Sequence, residues 1–513
     1  MKPSLQFISL LLQLSFLSNV YAGKTHTIES DTSILHTIIV VFDGLRPDYI
    51  KPDWMPNLYA FSKKAVYGKD NHSVFPTVTR VNAASYATGS YPSAHGLMGN
   101  AIYLPEVNRL KSLSTGNAGN LRHIMDFTSG KLLTAPSLGE VLRSAGEKMF
   151  VYSSGTTGQA FLQNHTVNGA IINPDLILPE SFRSELTASI GLPPKDATPN
   201  TARHQWITDA LCSYTIRADG PLVSAIWFSD PDGTAHEHGI GVPITITALK
   251  TVDAQFGRIL DTIRARALEP FFNIIVTADH GFVTHTGKTG FTDFLIQKGL
   301  KKSKDSDDII LAEGALYVKD HNPLLIQKIV EALQEQEWVG AIFTKAAKSG
   351  SMKGIIKGTL SFESVHWNHP QRAADILVAE NWNNDKNSLG YAGTDFAAGV
   401  AGHGGLSPYE IHIPLIAYGP SFKPTFESKL PTSNIDIVPT ILHIHHIAQP
   451  QQMQGRIMYE LLRHNNVKPM TPKKETIFAE TKLKQGKYRV MLERTMLGKY
   501  SYINYVSATR VRK

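Results

Sequence analysis

The stretch HTIIVVFDGL, from His36 to Leu45, is a run of β-branched and other apolar residues that ends in Asp43 and Gly44. Uninterrupted apolar runs of this length are typical of a parallel strand that is buried on both faces of a sheet. The segment PNLYAFSKKAV, which follows it, predicts a helix because Pro56 can occupy the first turn. A buried strand followed by a helix is the unit from which α/β folds are built.

The same strand and helix pattern returns along the chain. Two further apolar runs, PLVSAIWFSDPDG and FFNIIVTADHGF, also end in acidic residues. Between them, ITALKTVDAQFGRILDTIRARA has the apolar spacing of an amphipathic helix. This alternation predicts an α/β fold with a doubly wound, mostly parallel sheet. Such sheets bind ligands at the carboxyl ends of their strands, so the acidic residues there indicate the position of a site.

Changes of pattern along the chain divide it into four parts. We expect a signal peptide over 1–22, the first part of an α/β core with cap loops over 23–289, and an inserted α+β subdomain over 290–400. The second part of the core and a C-terminal hairpin are expected over 401–513. The insertion is assigned because AEGALYVKD, PLLIQKIVEALQEQEWV, GAIFTK and RAADILVAENW predict a strand, a helix and two strands.

The N-terminus has the pattern of a secretory signal peptide. Lys2 precedes an apolar run from Phe7 to Leu17, and the small residues that follow predict cleavage after Ala22. The run is too short to span a bilayer, so no membrane span is expected after cleavage. The single cysteine, Cys212, excludes an internal disulfide, which favours a bacterial periplasm over a eukaryotic secretory route. The sequence therefore predicts a secreted or periplasmic protein.

Composition limits the class of protein and the kind of partner. The chain has 513 residues, of which 42% are hydrophobic and 19% are charged, as expected of a folded globular protein rather than a disordered one. A formal net charge of +7 is small for this length. It permits a small anionic substrate but predicts no stable binding of nucleic acid. The oligomeric state stays open.

Several acidic and histidine side chains are candidate metal ligands at the strand ends. Asp232 and His236 are four residues apart, which places them on one side of a helical turn. Asp279 and His280 are adjacent, and His403 is flanked by glycines that let the backbone approach a site closely. Imidazole and carboxylate ligands together suit zinc or another divalent transition metal. The candidate ligands in chain order are Asp43, Thr79, Asp232, His236, Asp279, His280 and His403.

Five motifs together resemble the type I phosphodiesterase/nucleotide pyrophosphatase branch of the alkaline phosphatase superfamily. They are VFDGLRPDY, FPTVTRVNAASYATGSYPSAHGLMGN, DPDGTAHEHG, TADHGF and AGHGG, and their order and spacing agree over residues 36–460. The resemblance implies an alkaline phosphatase-like fold and two zinc ions. It implies that one ion is held by Asp43, Thr79, Asp279 and His280, and the other by Asp232, His236 and His403.

The resemblance also implies a reaction. Thr79 would be the nucleophile, because the family uses the second threonine of a PT-x-T turn, and Asn100 would bind a phosphoryl oxygen. A threonine hydroxyl is a poor nucleophile until a metal lowers its pKa, and two metals can stabilise the attacking and leaving oxygens. The expected activity is hydrolysis of phosphodiester or pyrophosphate bonds in a small phosphate ester or nucleotide, through a phospho-threonine intermediate.

The chain departs from the family directly after the nucleophile, where Arg80 replaces an aromatic residue that helps to stack a base. Arg80 could contact phosphate oxygens, which would favour a phosphomonoesterase or phosphonoacetate hydrolase of the same superfamily, or it could pair with a surface acid. His238 could replace His236 as a ligand. A binding protein that holds metal without catalysis is a third alternative. Four aromatic residues could stack a base instead: Tyr103, Tyr152, Trp227 and Phe228.

Overall fold

The elements of the first half of the chain follow the predicted alternation of strands and helices. The computed structural model describes residues 34–465, 467–468 and 470–511, so the predicted signal peptide and its cleavage site lie outside the described residues. The first strands are β1 (His36–Phe42), β2 (Val66–His72), β3 (Ala101–Ile102), β4 (Leu113–Ser114), β5 (Met149–Ser153), β6 (Gly169–Asn173), β7 (Leu176–Leu178), β8 (Val223–Phe228), β9 (Phe272–Thr277) and β10 (Val283–Gly287). The first helices are α1 (Pro56–Lys64), α2 (Thr79–Thr88), α3 (Pro92–His95), α4 (Ala118–Phe127), α5 (Leu138–Ser144), α6 (Thr157–Gln163), α7 (Arg183–Ile190), α8 (Thr201–Tyr214), α9 (Asp232–His238) and α10 (Pro243–Ala265).

The second half of the chain adds short strands before it returns to the central sheet. Its strands are β11 (Ile309–Ala312), β12 (Ala315–Val318), β13 (Val339–Thr344), β14 (Leu360–Ser361), β15 (Ile376–Glu380), β16 (Trp382–Lys386), β17 (Ala392–Ala398), β18 (Ala401–Gly402), β19 (His412–Tyr418), β20 (Phe426–Ser433), β21 (Lys473–Leu483), β22 (Gly486–Leu497) and β23 (Tyr500–Val511). Its helices are α11 (Phe291–Gln297), α12 (Pro323–Gln334), α13 (Pro408–Ile411) and α14 (Ile437–Ile444).

The central sheet has nine strands in the order β20-β2-β19-β9-β1-β8-β5-β6-β7. The middle strands β9, β1, β8, β5 and β6 are parallel to one another, whereas β19 runs antiparallel to both of its neighbours. β1 lies at the centre and is buried along its whole length. The predicted α/β fold with a mostly parallel sheet is therefore confirmed.

The alternating side chains of β1 explain why this sheet is covered on both faces. Ile38 and Val40 belong to one hydrophobic core, to which α10 contributes. Ile39 and Val41 belong to the core on the opposite face, to which α2 and α14 contribute. Burying one such side chain contributes about 1.5–3 kcal/mol to the free energy of folding, so a strand that is apolar on both faces favours a position between two helical layers. This arrangement leaves the strand ends as the place for polar residues.

The segment between β10 and β18 contains a second, smaller sheet with its own hydrophobic core. β11, β12, β15, β13 and β14 form a five-stranded sheet, and α12 packs on it through a separate hydrophobic core. The predicted order of strand, helix and two strands matches β12, α12, β13 and β15. The domain boundaries at residues 289 and 400 stay a prediction.

The C-terminal part carries one strand more than the predicted hairpin. β22 and β23 pair as the alternating pattern indicates, and β21 adds a third antiparallel strand at the edge. Most β21 side chains are exposed or only partly buried, and lysine and glutamate are frequent among them. Charged residues of this kind are typical of edge strands, which explains why hydrophobic periodicity missed it.

Candidate metal centre

The predicted ligands meet at the carboxyl ends of three neighbouring strands of the central sheet. Asp43 directly follows β1, Asp232 is the first residue of α9 after β8, and Asp279 is the second residue after β9. β1 lies between β8 and β9 and is parallel to both, so the three ends share one edge. The backbone amide of Asp232 donates to the carbonyl oxygen of Asp43 at 3.1 Å, which holds the two loops together.

A first group of ligand-type side chains consists of Asp43, Asp279 and His280. The Nε2 atom of His280 lies 3.0 Å from Oδ2 of Asp279 and 3.4 Å from Oδ1 of Asp43. The hydroxyl oxygen of Thr79 is 3.3 Å from the same nitrogen. All four side chains are buried. These are the four residues that the family resemblance implies as ligands of one metal ion.

A second group adjoins the first and consists of Asp232, His236 and His403. The Nε2 atoms of His236 and His403 each lie 3.2 Å from Oδ1 of Asp232. Nε2 of His280 is 4.0 Å from the same oxygen, so the two groups share a border. His238 lies outside both groups and has Glu237 as its charged neighbour, at 3.9 Å. Its predicted alternative role as a ligand therefore has no support in the geometry.

The histidine tautomers follow from the groups that surround them. Nδ1 of His236 faces the carbonyl oxygen of Ala401 at 3.0 Å, and Nδ1 of His403 faces that of Thr77 at 2.8 Å. Nδ1 of His280 faces its neighbour's carbonyl oxygen at 3.0 Å. A carbonyl oxygen only accepts, so each Nδ1 carries a proton, and each ring turns its Nε2 toward the carboxylates.

Three carboxylate oxygens at this centre are buried without a hydrogen-bond partner among the described residues: Asp43 Oδ1, Asp232 Oδ1 and Asp279 Oδ2. Two of the remaining oxygens are bound, because Trp227 Nε1 donates to Asp43 Oδ2 at 2.9 Å and the amide of Gly44 donates to Asp279 Oδ1 at 3.1 Å. Burying a carboxylate without a hydrogen bond or an opposite charge destabilises the folded protein. Carboxylate oxygens without hydrogen-bond partners beside imidazole nitrogens fit divalent cations, and the donor set suits zinc.

The charge distribution supports the same interpretation. Burial raises the pKa of Asp43 well above its usual value, and the neighbouring carboxylates of Asp279 and Asp232 raise it further. Burial, followed by the proximity of His280, lowers the pKa of His403 to about 4. His403 is therefore neutral at physiological pH, with a lone pair available to a metal. Divalent cations would convert the repulsion among the carboxylates into attraction.

The predicted nucleophile and phosphate ligand lie beside this centre. Thr79 is the first residue of α2, where the amide groups at the helix start favour negative charge. The side-chain oxygen of Asn100 accepts from the backbone amide of Arg80 at 3.1 Å. This contact fixes the orientation of the Asn100 amide and leaves its Nδ2 group to donate elsewhere. The backbone amide of Asn100 donates in turn to a carboxylate oxygen of Glu313 at 3.0 Å, a contact that no sequence motif indicated.

A cleft of about 970 Å³ opens over both ligand groups and Thr79. Arg80 lines it, and its Nε atom is buried without a hydrogen-bond partner among the described residues. No described acidic side chain lies within ion-pair distance of Arg80, so its predicted alternative pairing with a surface acid is wrong. Phe291, on α11, also lines the cleft.

The four aromatic residues predicted to stack a base do not line this cleft. Trp227 is buried and holds Asp43, and Tyr152 is buried beside Thr215, to which its hydroxyl group is bonded. Tyr103 packs on Tyr317, with ring centroids 5.0 Å apart. Phe228 is buried in the core beside β1. Two other aromatic residues line the cleft: Phe75 is buried, and Phe291 is partly exposed. Phe291 is therefore the candidate for stacking on a base, and the sequence carries no motif that would have indicated it.

Replacement of Trp227 by Phe is expected to weaken metal binding by about 10–100-fold, because the indole is the donor that orients Asp43. The measurement is competition for zinc against a chelator of known affinity. Trp206→Phe is the matched control, since Trp206 is also buried and its Nε1 donates to the backbone of Gly191 on another part of the protein. Equal zinc affinities of the two variants would contradict the prediction.

Comparisons with known proteins give the family. A family model described as type I phosphodiesterase / nucleotide pyrophosphatase matches residues 37–386. Mouse ectonucleotide pyrophosphatase/phosphodiesterase family member 3 is 27% identical over 247 residues, which are 48% of this chain and 24% of that protein. A mouse bis(5'-adenosyl)-triphosphatase is 24% identical over 419 residues, which are 81% of this chain and 78% of that protein.

Solved structures agree with the fold. An inactive variant of murine ectonucleotide pyrophosphatase/phosphodiesterase 5, in complex with AMP, matches with a TM-score of 0.58 and 18% identity. The match covers 83% of this chain and all of that one. It supports an alkaline phosphatase-like fold with an inserted segment. Because the family model covers more than half of the sequence, this chain belongs to the type I phosphodiesterase/nucleotide pyrophosphatase family.

Proposed function

We propose that this protein is a metal-dependent hydrolase that cleaves phosphodiester or pyrophosphate bonds of small nucleotide substrates. The observation that carries the proposal is the placement of the Thr79 hydroxyl at the start of α2, 3.3 Å from an imidazole nitrogen of the metal centre. The family and the names of two relatives support the same class of reaction.

The seven predicted ligands would hold two zinc ions or other divalent transition metals. Asp43, Thr79, Asp279 and His280 would hold one, and Asp232, His236 and His403 would hold the other. When bound, such ions lower the pKa of a coordinated hydroxyl group and neutralise charge on phosphoryl oxygens. The fit rests on the unpartnered carboxylate oxygens and on the inward Nε2 atoms of the three histidines.

Thr79 would act as the nucleophile. Its Oγ1 attacks phosphorus and forms a P–O bond, while the bond to the leaving alcohol or phosphate breaks on the opposite side. The threonine proton is released, and the leaving oxygen takes up a proton from solvent. A phospho-threonine that retains the other ester group remains, and water then attacks its phosphorus and restores the hydroxyl. The Nδ2 group of Asn100 would donate to the phosphoryl oxygens.

The cleft favours a nucleotide as the substrate. Its volume of about 970 Å³ accommodates a ligand larger than a simple phosphate ester. Phe291 offers an aromatic face for a base, and Arg80 offers a cation for a further phosphate. AMP in the neighbouring structure and the name of the bis(5'-adenosyl)-triphosphatase relative point to purine nucleotides.

Arg80 supports a second candidate function. Its guanidinium group lines the cleft directly after the nucleophile and forms no ion pair with any described residue. A free cation at this position would bind the extra negative charge of a terminal phosphate. The protein would then act as a phosphomonoesterase or phosphonoacetate hydrolase on the same metal centre.

A comparison of rates on a nitrophenyl nucleotide diester and a nitrophenyl monoester, both with zinc added, tests these candidates. We expect the diester to react at least about tenfold faster, which corresponds to about 1.4 kcal/mol in transition-state stabilisation. If Arg80 selects monoesters, Arg80→Ala will lower the monoester rate more than the diester rate. If the wild type hydrolyses the monoester faster than the diester, the proposed function changes to that of the phosphomonoesterase.

The cellular location is part of the proposal. The signal-peptide pattern before Ala22 supports secretion or export to a periplasm. Among the described residues, no helix combines the length and the apolar character needed to cross a bilayer. Small phosphate esters or nucleotides are the proposed partners, and stable binding of nucleic acid is not expected.

A further inference from the structure

A second cluster of ligand-type side chains lies on β2 and β19, and none of its members belongs to the candidate metal centre. Asp70 and His72 are two residues apart on β2, so they project from the same face of the sheet. His412 lies directly opposite His72 on the antiparallel strand β19, with ring centroids 4.8 Å apart. Asn504 reaches the cluster from β23. His72 is buried, whereas the side chains of Asp70 and His412 are about one-third exposed, at 32% and 35%.

The neighbours of His72 determine where its proton lies. Nδ1 of His72 is 2.9 Å from the carbonyl oxygen of Thr432, which can only accept, so Nδ1 carries a hydrogen. When Nδ1 carries the only proton of the ring, Nε2 is bare and offers a lone pair. It lies 3.5 Å from Oδ1 of Asp70 and 3.3 Å from Oδ1 of Asn504.

The orientation of the Asn504 amide is fixed by its own partners. Its Nδ2 donates to a carboxylate oxygen of Glu493 at 3.0 Å, and its Oδ1 accepts from the hydroxyl group of Thr495 at 3.1 Å. Rotating the amide would bring two oxygen acceptors together at Glu493. The oxygen of Asn504 therefore faces the bare nitrogen of His72. The lone pair of His72 Nε2 thus faces Oδ1 of Asn504 and Oδ1 of Asp70. These three electron-rich atoms repel one another unless a positive charge lies among them.

The spacing of these atoms suits a metal ion. Nδ1 of His412 lies 3.7 Å from the same Asp70 oxygen, so the three measured separations run from 3.3 to 3.7 Å. Four ligands at about 2.0–2.1 Å from a tetrahedral zinc ion stand about 3.3–3.5 Å from one another. These separations are too long for strong hydrogen bonds and close to the edges of such a tetrahedron.

We propose that Asp70, His72 and His412, with the side-chain oxygen of Asn504 as a fourth donor, form a structural binding site for zinc or a similar divalent transition metal. Two imidazoles and one carboxylate are a donor set that prefers these ions. The exposed edges of Asp70 and His412 give the ion a path from solvent. The site joins strands from three parts of the chain, β2, β19 and β23, and so fastens the C-terminal sheet to the central sheet.

The surrounding charges are compatible with a bound cation. Burial, then the proximity of His72 and of Lys474, lowers the pKa of His412 to about 3, so this ring stays neutral and can act as a ligand. The ammonium group of Lys474 pairs with Glu493 at 3.0 Å, which reduces its repulsion of an ion. Asp70 supplies the negative charge. No nucleophile of the proposed reaction belongs to this cluster, so the role of the ion is to stabilise the fold.

Metal content measures the site directly. Full-length wild-type protein and the variants Asp70→Asn and His412→Ala are stripped with a chelator, reloaded with zinc, desalted and analysed by elemental mass spectrometry. We expect each variant to hold one zinc ion per chain fewer than the wild type. His123→Ala removes an exposed histidine outside both clusters and is expected to leave the zinc content unchanged. Both test residues are partly exposed, so the variants should fold, which circular dichroism checks.

Two results would overturn the proposal. One is equal zinc content in His412→Ala and the wild type. The other is nitrogen NMR of zinc-saturated wild-type protein in which both ring nitrogens of His72 carry protons, because a proton would then supply the positive charge. Both measurements test this site independently of the proposed activity. If the site exists, His412→Ala at saturating zinc loses an ion but keeps its rate on the nucleotide diester within about twofold of the wild type.

Discussion

Thr79→Ala is expected to lower turnover of a nitrophenyl nucleotide diester by about 10⁴-fold or more, the range found when a covalent nucleophile is removed. The reason is chemical rather than structural. Thr79 Oγ1 is the hydroxyl at the metal centre, 3.3 Å from Nε2 of His280, and alanine offers no atom that can form the bond to phosphorus. The six other ligand side chains remain, so zinc content should change little.

Three controls make this prediction specific. Thr79→Ser keeps a hydroxyl group and is expected to retain far more activity than Thr79→Ala. Thr88→Ala removes a buried threonine hydroxyl at the other end of α2, where it bonds to the carbonyl oxygen of Ala84, and should cost only a few-fold. Rapid acid quenching of the wild type should trap the substrate's phosphoryl group on Thr79. A Thr79→Ala variant with near wild-type turnover, or a trapped group on another residue, would refute the assignment.

The sequence predicted those features that depend on local patterns. The apolar run of β1 predicted a central buried strand, because only a strand between two covered faces can be apolar on both sides. The acid that follows it, Asp43, was predicted to lie at a site because parallel strands end at a common edge. Asp232 and His236 were placed together by helical spacing alone. The structure brings all three to the same centre.

Features that depend on tertiary packing could not be predicted in this way. Trp227 lies in an apolar strand, and the residue type alone does not reveal the partner of its indole. In the structure the indole donates to the carboxylate of Asp43. Phe291 reaches the cleft only because the segment after β10 folds back over it. The cluster around Asp70 requires β2 and β23, more than 400 residues apart, to pack together. No spacing rule connects such residues.

Replacement of His236 by Ala is expected to remove one metal ion and to lower diester turnover by about 10²–10³-fold. This is a loss of about 2.7–4 kcal/mol in transition-state stabilisation, comparable with the removal of one preorganised donor to the reacting phosphoryl group. Nε2 of His236 lies 3.2 Å from Asp232 Oδ1, and Nδ1 is held by the carbonyl oxygen of Ala401. Nε2 is therefore directed at the centre, and the contact at Nδ1 holds the ring in that orientation.

His238→Ala is the matched test, because the sequence alone left both histidines as candidates. His238 lies two residues further along α9, so its side chain leaves the helix about 200° away from that of His236. Its ring neighbours Glu237 rather than either ligand group. We therefore expect His238→Ala to keep the full zinc content and a rate within about twofold of the wild type. The reverse result, metal loss in His238→Ala and none in His236→Ala, would mean that α9 binds the ion through its other face and would require a new assignment of the second ligand group.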